Sequence, residues 1–247
     1  MVFRSLDVGS DKLLTDWGEL KEENPAIGWR SIRITLDRRA LLRSQMKAFL
    51  KAAAGRELDV MFPMVSSYNE FMEAKETLLL ALEKQKQIGE KLPSKVSVGL
   101  MIEVPSVIFE LDDILKQADF ISVGTNDLAQ FIFASDRTNP RLDNRYDVLS
   151  APFLKVLKTI VSKAHEYRVE CSVCGEMASV PVEAMALIGL GYKSFSSSGA
   201  SFAAIKKMIC SLHAKELEDY MNTLLKSNQK TLRPQLSAYA YDHGIAI

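Results

Sequence analysis

What most constrains this chain is a recurrence: six short β-rich runs, each followed by a stretch of helical periodicity. The runs are VFRSLDVG from Val2, LDVMFPMV from Leu58, VSVGLMIEV from Val96, FISVGTND from Phe120, ECSVCGEM from Glu170 and SFSSSG from Ser194. Several are almost continuously apolar instead of alternating, the pattern of parallel strands covered by helices on their faces. Helical patterning fills Ala40–Ala54, Tyr68–Gly89, Ser106–Gln117, Leu128–Ser135, Pro152–Tyr167, Pro181–Leu190 and Phe202–Lys226. Pro105, Pro152 and Pro181 stand where helices should begin, a position that needs no backbone N–H. Repeated βα units give a parallel sheet, either open and doubly wound or closed into a barrel. Polar residues at the strand ends (Asp7, Glu103, Asn126, Asp127, Cys174 and Glu176) favour the barrel, where such ends converge on one mouth. A (β/α)8 TIM-type barrel needs eight strands and six are found, so the expected fold is an α/β barrel incomplete at its N-terminal side. Residues 1–226 would form that barrel domain, and the more polar 227–247, with Pro234, a C-terminal tail.

Charge and cysteine content narrow the partners. Lys plus Arg equals Asp plus Glu at 31 each, so the whole-molecule field offers nothing to nucleic acid or an anionic membrane. Three cysteines, Cys171, Cys174 and Cys210, are too few and too odd for a disulfide framework and point to a reducing compartment. The start MVFRSLDVGSDK has no signal-peptide core, and no apolar run is long enough to span a bilayer. A cytoplasmic location is expected.

Glu103 and Asp127 each end an apolar strand, and the two strands are consecutive. Two such carboxylates suit half of a Mg²⁺ site, since that ion prefers oxygen ligands and completes its shell with water or phosphate. Each acid could equally cap the helix that follows it, and both readings stand. Arg4 lies within the first strand, Lys12 in the loop after it, Arg30 in NPAIGWR and Arg137 shortly after GTNDLAQ, and guanidinium forks match phosphate or carboxylate oxygens. Arg38, Arg39 and Arg43 read as solvated surface groups. Gly124 to Asp127, GTND, forms a strand-end turn leading to a helix, a weak anion-binding signal on its own. In CSVCGEM the C-x-x-C spacing suggests a redox or metal pair, but residues three apart on a strand face opposite sides and cannot chelate. Cys174 would then point to the polar strand ends, as a nucleophile or proton donor, and Cys171 into packing.

These residues, in this order, resemble a known family. FRSLDVGSDK, ENPAIGWRSIRI, VMFPMV, GLMIEVP, SVGTNDLAQF, DR and CGEMAS are similar, step by step, to the C-terminal domain of enzyme I, the phosphoenolpyruvate–protein phosphotransferase of the bacterial phosphotransferase system. The similarity runs from about Val2 to Ile209. Pyruvate phosphate dikinase and phosphoenolpyruvate synthase share GTNDL and a CGE-type motif, but ENPAIGWR looks more like enzyme I. CGEMAS and the ending LSAYAYDHGIAI resemble its nitrogen-related branch, with the choice between sugar transport and nitrogen regulation left open.

The resemblance implies roles. Arg4, Arg30 and Arg137 would hold phosphate and carboxylate oxygens of phosphoenolpyruvate (PEP), with Lys12 adding charge and Asn126 contacting the phosphate. Glu103 and Asp127 would bind Mg²⁺, and Cys174, as a thiol, would protonate the enolate of pyruvate. The family passes the phosphoryl group to a histidine on a separate N-terminal domain and then to an HPr-like phosphocarrier. No GGxTSH-like segment occurs here, and none of His165, His213 or His243 has a comparable context. The family's barrel also begins with two further strands, including an RTEF-like segment, which accounts for the missing pair. The expectation is therefore a PEP-binding piece of a longer enzyme, dimeric like the family's C-terminal domain and inactive alone. Two other readings remain: a non-catalytic dimerisation or PEP-sensing module, and a Mg²⁺-dependent carbon–carbon lyase on a similar barrel, which would not need Cys174.

Overall fold

The computed structural model describes residues 2–9, 22–137, 139–142, 145–227 and 229–247. Lys12 falls outside them. The chain forms two compact units, Met1–Ile121 and Ser122–Ile247. Six parallel strands alternate with helices, in the order β1-β2-β3-β4-β5-β6. The fold class is α/β, a TIM-type barrel with six of its eight βα units.

In the first unit β1 (Val2–Arg4), β2 (Glu57–Phe62) and β3 (Lys95–Ile102) pair in parallel, with Arg4 opposite Met61 and Phe62 opposite Leu100. Helices α1 (Ile32–Asp37) and α2 (Arg39–Ala52) connect β1 to β2, and α3 (Tyr68–Gln87) connects β2 to β3. α2 buries Leu42, Met46 and Leu50, one residue per turn, against α3, which buries Phe71, Ala74, Leu78 and Ala81 at the same helical spacing. A reciprocal cap starts α3: Ser67 Oγ accepts from Glu70 N at 3.3 Å, and the Glu70 carboxylate accepts from Ser66 N at 2.7 Å. After β3 come a 3-10 turn at Pro105–Glu110 and the short α4 (Leu111–Leu115). Strand β4 (Phe120–Gly124) crosses the unit boundary; its entry is fixed in the first unit, where Asp119 N donates to Val98 O and Asp119 Oδ2 accepts from Val98 N.

The second unit continues with α5 (Thr125–Ile132), α6 (Ala151–Tyr167), β5 (Glu170–Cys174), α7 (Pro181–Leu190) and β6 (Ser194–Phe195). β5 pairs with β6 in parallel. α7 is apolar on nearly every side because α9 and α10 cover it. At Gly189 an added Cβ would lie 2.4 Å from the Met221 side chain, so only glycine lets α7 and α9 approach this closely.

Several helices differ from the sequence expectation: α1 has no counterpart in it, and Ser106–Gln117 is a 3-10 turn followed by the short α4. α5 begins at Thr125 instead of Leu128, because β4 runs into it without a loop and Asp127 in its first turn favours a helix N-terminus. The single helix expected over Phe202–Lys226 is two, α8 (Phe202–Cys210) and α9 (Ala214–Leu224). Ser211 ends the first by donating its hydroxyl to Met208 O, and its Oγ accepts from Ala246 N in the tail. The tail itself carries α10 (Arg233–Asp242), with Leu232, Leu236 and Ala240 fully buried. Arg233 anchors it through Asp147 at 2.9 Å and Glu183 at 2.7 Å.

Candidate functional site

The polar strand ends fall into two clusters, one in each unit. In the first, Asp7 just beyond β1 collects three donors: Arg4 at 3.3 Å, Arg30 at 3.5 Å, and the Ser31 hydroxyl. The Arg30 side chain is 17% exposed and that of Asp7 16%, so this pair is largely out of water, whereas Arg4 is half exposed at 50%. A 3-10 turn at Pro25–Ile27 leads into Arg30, and Glu22 accepts from Trp29 N at 2.7 Å to hold the approach. Ser31 sits at φ 52°, an uncommon region for a non-glycine residue, kept there by its N–H to Val8 O and its hydroxyl to Asp7. The sequence marked Arg4 and Arg30; Asp7 was visible only as another strand-end acid. Its spacing three residues after Arg4 was the available signal.

At the end of β3, Glu103 is only 4% exposed, and its Oε2 accepts from Met64 N at 3.1 Å. Met64, just past β2, has φ 55°. The carboxylate thus fixes a tight backbone turn, and it remains an oxygen donor chemically suited to a hard cation.

The second cluster joins the start of α5 to the end of β5. Thr125 Oγ1 donates to Cys174 O at 3.2 Å. Glu176 N donates to Asn126 Oδ1 at 3.0 Å, and Asn126 Nδ2 donates back to Glu176 Oε1 at 3.3 Å. A carbonyl oxygen held by a backbone N–H fixes which way the Asn126 amide faces. Between these contacts lies Gly175 at φ 105° and ψ −177°, where a Cβ would come within 2.5 Å of Thr125 Oγ1 and 2.9 Å of Asn126 Oδ1. Only glycine fits both the backbone angle and the space.

Cys174 Sγ lies 3.5 Å from Val123 O, the geometry of a thiol hydrogen bond to a strand carbonyl. Cys171 is 8% exposed, and burial pushes its thiol up to about 12, leaving it inert. The two thiols face opposite sides of β5, Cys171 buried and Cys174 only partly so, as the strand period requires. Asn126, Gln130, Phe133, Arg137, Tyr146 and Glu176 line one cavity of about 150 Å³. Arg137 is exposed, its N–H on Gln130 Oε1 at 3.5 Å. Asp127 occupies the first turn of α5. Of the expected set, Asn126 and Arg137 line this cavity, the Cys174 backbone meets Thr125, and Glu176 adds a partner for Asn126.

Comparison with known proteins follows the same residues. A profile of PEP-utilising enzymes, PEP-binding domain, matches residues 1–214. A protein of Escherichia coli K12 named phosphoenolpyruvate-dependent phosphotransferase system is 40% identical over 99% of this chain and 33% of its own length. The phosphoenolpyruvate-protein phosphotransferase of Bacillus subtilis 168 is 36% identical over 91% of this chain and 40% of its own. The enzyme of the same name from Mycoplasma capricolum is also 36% identical, over 92% of this chain and 39% of its own. The chain thus spans about a third to two-fifths of the length of these relatives. With a match over most of its residues and with both strand-end clusters built from the matched region, the chain belongs to the PEP-utilising enzymes, within their PEP-binding domain.

Proposed function

We propose that this chain binds PEP and supplies the substrate side of a phosphoryl transfer to a histidine on another domain, from which the group passes to a phosphocarrier protein. The observation that carries the reading is the interlock of Asn126 with Glu176 on a cavity that Arg137 also lines, next to the end of β5 that carries Cys174. Asn126 and Arg137 offer N–H groups to phosphoryl oxygens, and Arg4 and Arg30 offer theirs to the remaining charge of the substrate. Transfer breaks the bond between phosphorus and the enol oxygen and forms one to the histidine nitrogen. The enolate left behind takes a proton at its methylene carbon, and the Cys174 thiol is the group with a proton to give. Glu103 and Asp127 would hold Mg²⁺, which when bound neutralises charge on the phosphoryl oxygens. Lys12 is assigned to the same anion by resemblance alone. Dimerisation and a cytoplasmic location belong to this reading; among the described residues, no helix is long and apolar enough to cross a membrane.

Calorimetric titration tests it directly. PEP should bind the 247-residue chain more tightly with Mg²⁺ than without, and Arg137→Ala or Asn126→Ala should each weaken that binding about tenfold or more, the scale of a lost charge-assisted contact. Absence of binding at millimolar PEP and Mg²⁺ would remove the proposal.

A further inference from the structure

We infer a second ligand site in the Ser122–Ile247 unit: an anion cradle at the N-terminus of α6, shaped for a phosphate ester whose organic part is about the size of a sugar or base ring. A cavity of about 390 Å³ opens there, lined by Phe133, Arg145, Tyr146, Ser150, Lys155 and Lys230 among others. It is separate from the smaller cavity that holds Asn126 and Arg137, although Phe133 and Tyr146 contribute to the walls of both.

Ser150 is the N-cap of a 17-residue helix, yet its side chain makes no cap bond. The residue is 6% exposed, and its Oγ has no hydrogen-bond partner. Ser227, on the same cavity, has a second buried hydroxyl oxygen without a partner. Buried polar atoms are nearly always paired, and two left unpaired around one cavity point to a missing partner. The first helical residues beyond Ser150 are Ala151 and Phe153, whose N–H groups lead the helix, with Pro152 between them donating nothing. A helix N-terminus of this length carries partial positive charge suited to an anion.

Charge agrees with that polarity. Arg145, Lys155 and Lys230 all line the cavity. The acid among them, Asp147, is already engaged by Arg233 at 2.9 and 3.1 Å and by Thr231 at 2.7 Å. Burial raises its pKa, but those donors outweigh burial and hold the carboxyl below its ordinary range. Arg233 is shared with Glu183, so this trio keeps one net negative charge, set against the three cations that line the cavity. Phe133 and Tyr146 stack at 4.9 Å, with the Arg145 guanidinium 5.9 Å from the Tyr146 ring, giving one flat apolar wall. Phosphate alone would leave most of the volume empty, since cavities near this size usually take whole small organic molecules.

The test is titration of the 247-residue chain with inorganic phosphate, ribose 5-phosphate and adenosine 5′-monophosphate, following the amide resonances of Ala151 and Phe153. Both resonances should shift with each probe, and the esters should bind at least about tenfold more tightly than phosphate because the ring covers the aromatic wall. Ser150→Ala and Lys155→Gln should each weaken ester binding by about three- to tenfold. Ser150→Ala should leave the melting temperature unchanged or raised, because the hydroxyl bonds nothing in the free protein. Arg137→Ala should have no effect on these affinities. Three outcomes would overturn the site: binding lost with Arg137→Ala but kept with Ser150→Ala, equal affinity for phosphate and its esters, or a clear drop in melting temperature with Ser150→Ala. None of these depends on whether PEP binds elsewhere.

Discussion

The two strand-end clusters solve the same problem in different ways. In the first unit the cations meet an anion of the protein's own: Arg4 and Arg30 both lie on Asp7. In the second unit the polar groups are held by hydrogen bonds to backbone, Thr125 to Cys174 O and Glu176 N to Asn126, with one more from Asn126 to the Glu176 carboxylate. A guanidinium that is 17% exposed needs a compensating charge when no ligand is present, because an unpaired buried cation is costly. An amide or a hydroxyl needs only a partner. On the proposed function the first cluster would exchange one anion for another, and the second, already interlocked, would position a reacting group.

The sharpest way to break this contrast is at Cys174. In a longer chain that includes a histidine acceptor, Cys174→Ala should slow turnover by about 10²–10⁴-fold while PEP affinity changes little, since no binding charge is removed. Cys171→Ala, on the packed face of β5, should leave turnover near normal and cost about 1 kcal/mol of stability at most. Steady-state kinetics on both variants decides the matter. Equal effects, or normal turnover in Cys174→Ala, would undo the proton-donor role and reopen the lyase reading.

Rigidity of the second cluster can be tested at Gly175. A methyl group there must displace Thr125 or Asn126 and adopt a backbone angle that only glycine favours. Gly175→Ala should cost about 2–4 kcal/mol in denaturant unfolding. If the variant is as stable as the parent, the interlock is looser than its geometry implies.

Asp7 tests the first cluster, with a smaller effect. Asp7→Asn keeps a hydrogen-bond acceptor but removes the charge facing Arg30, and should cost about 1–2 kcal/mol in the free protein. A bound dianion would replace that charge, so PEP should raise the melting temperature of the variant more than that of the parent. A smaller shift in the variant would mean that Asp7 positions the arginines and does not stand in for the ligand.

Much of this was legible in the sequence, and the reasons are physical. β2, β3 and β4, mostly buried, read as apolar runs, β1, β5 and β6 were legible from their place in the βα alternation, and the strand period alone separated Cys171 from Cys174. Pairings between strand ends were harder to read. Asp7 with Arg30, or Asn126 with Glu176 fifty residues away, are products of the fold, and nothing local marks them. The break between α8 and α9 was missed for a similar reason: Ser211 is tolerable inside a helix, and only the returning C-terminal tail gives its hydroxyl another use. The polarity of that tail hid the apolar stripe of Leu232, Leu236 and Ala240, which is short and strictly four-residue in spacing.

The smallest expected effect belongs to Glu176, and it separates an oriented amide from a merely nearby one. Asn126 has two anchors: its oxygen receives the Glu176 backbone N–H at 3.0 Å, and its nitrogen gives one N–H to the Glu176 carboxylate at 3.3 Å. Glu176→Ala removes only the second, so the amide stays the right way round but gains freedom to tilt. A single hydrogen bond of that length contributes about 0.5–1.5 kcal/mol, so kcat/KM should fall by about two- to tenfold. The loss should appear in kcat more than in KM if Asn126 acts on the transferring phosphoryl group instead of on substrate docking. Glu176→Gln keeps an oxygen acceptor in place and should restore most of the rate. Recovery by glutamine assigns the effect to orientation; if glutamine is as poor as alanine, the negative charge of Glu176 itself matters to the reaction, and the second cluster is less like a neutral scaffold, and more like the first, than the hydrogen bonds indicate.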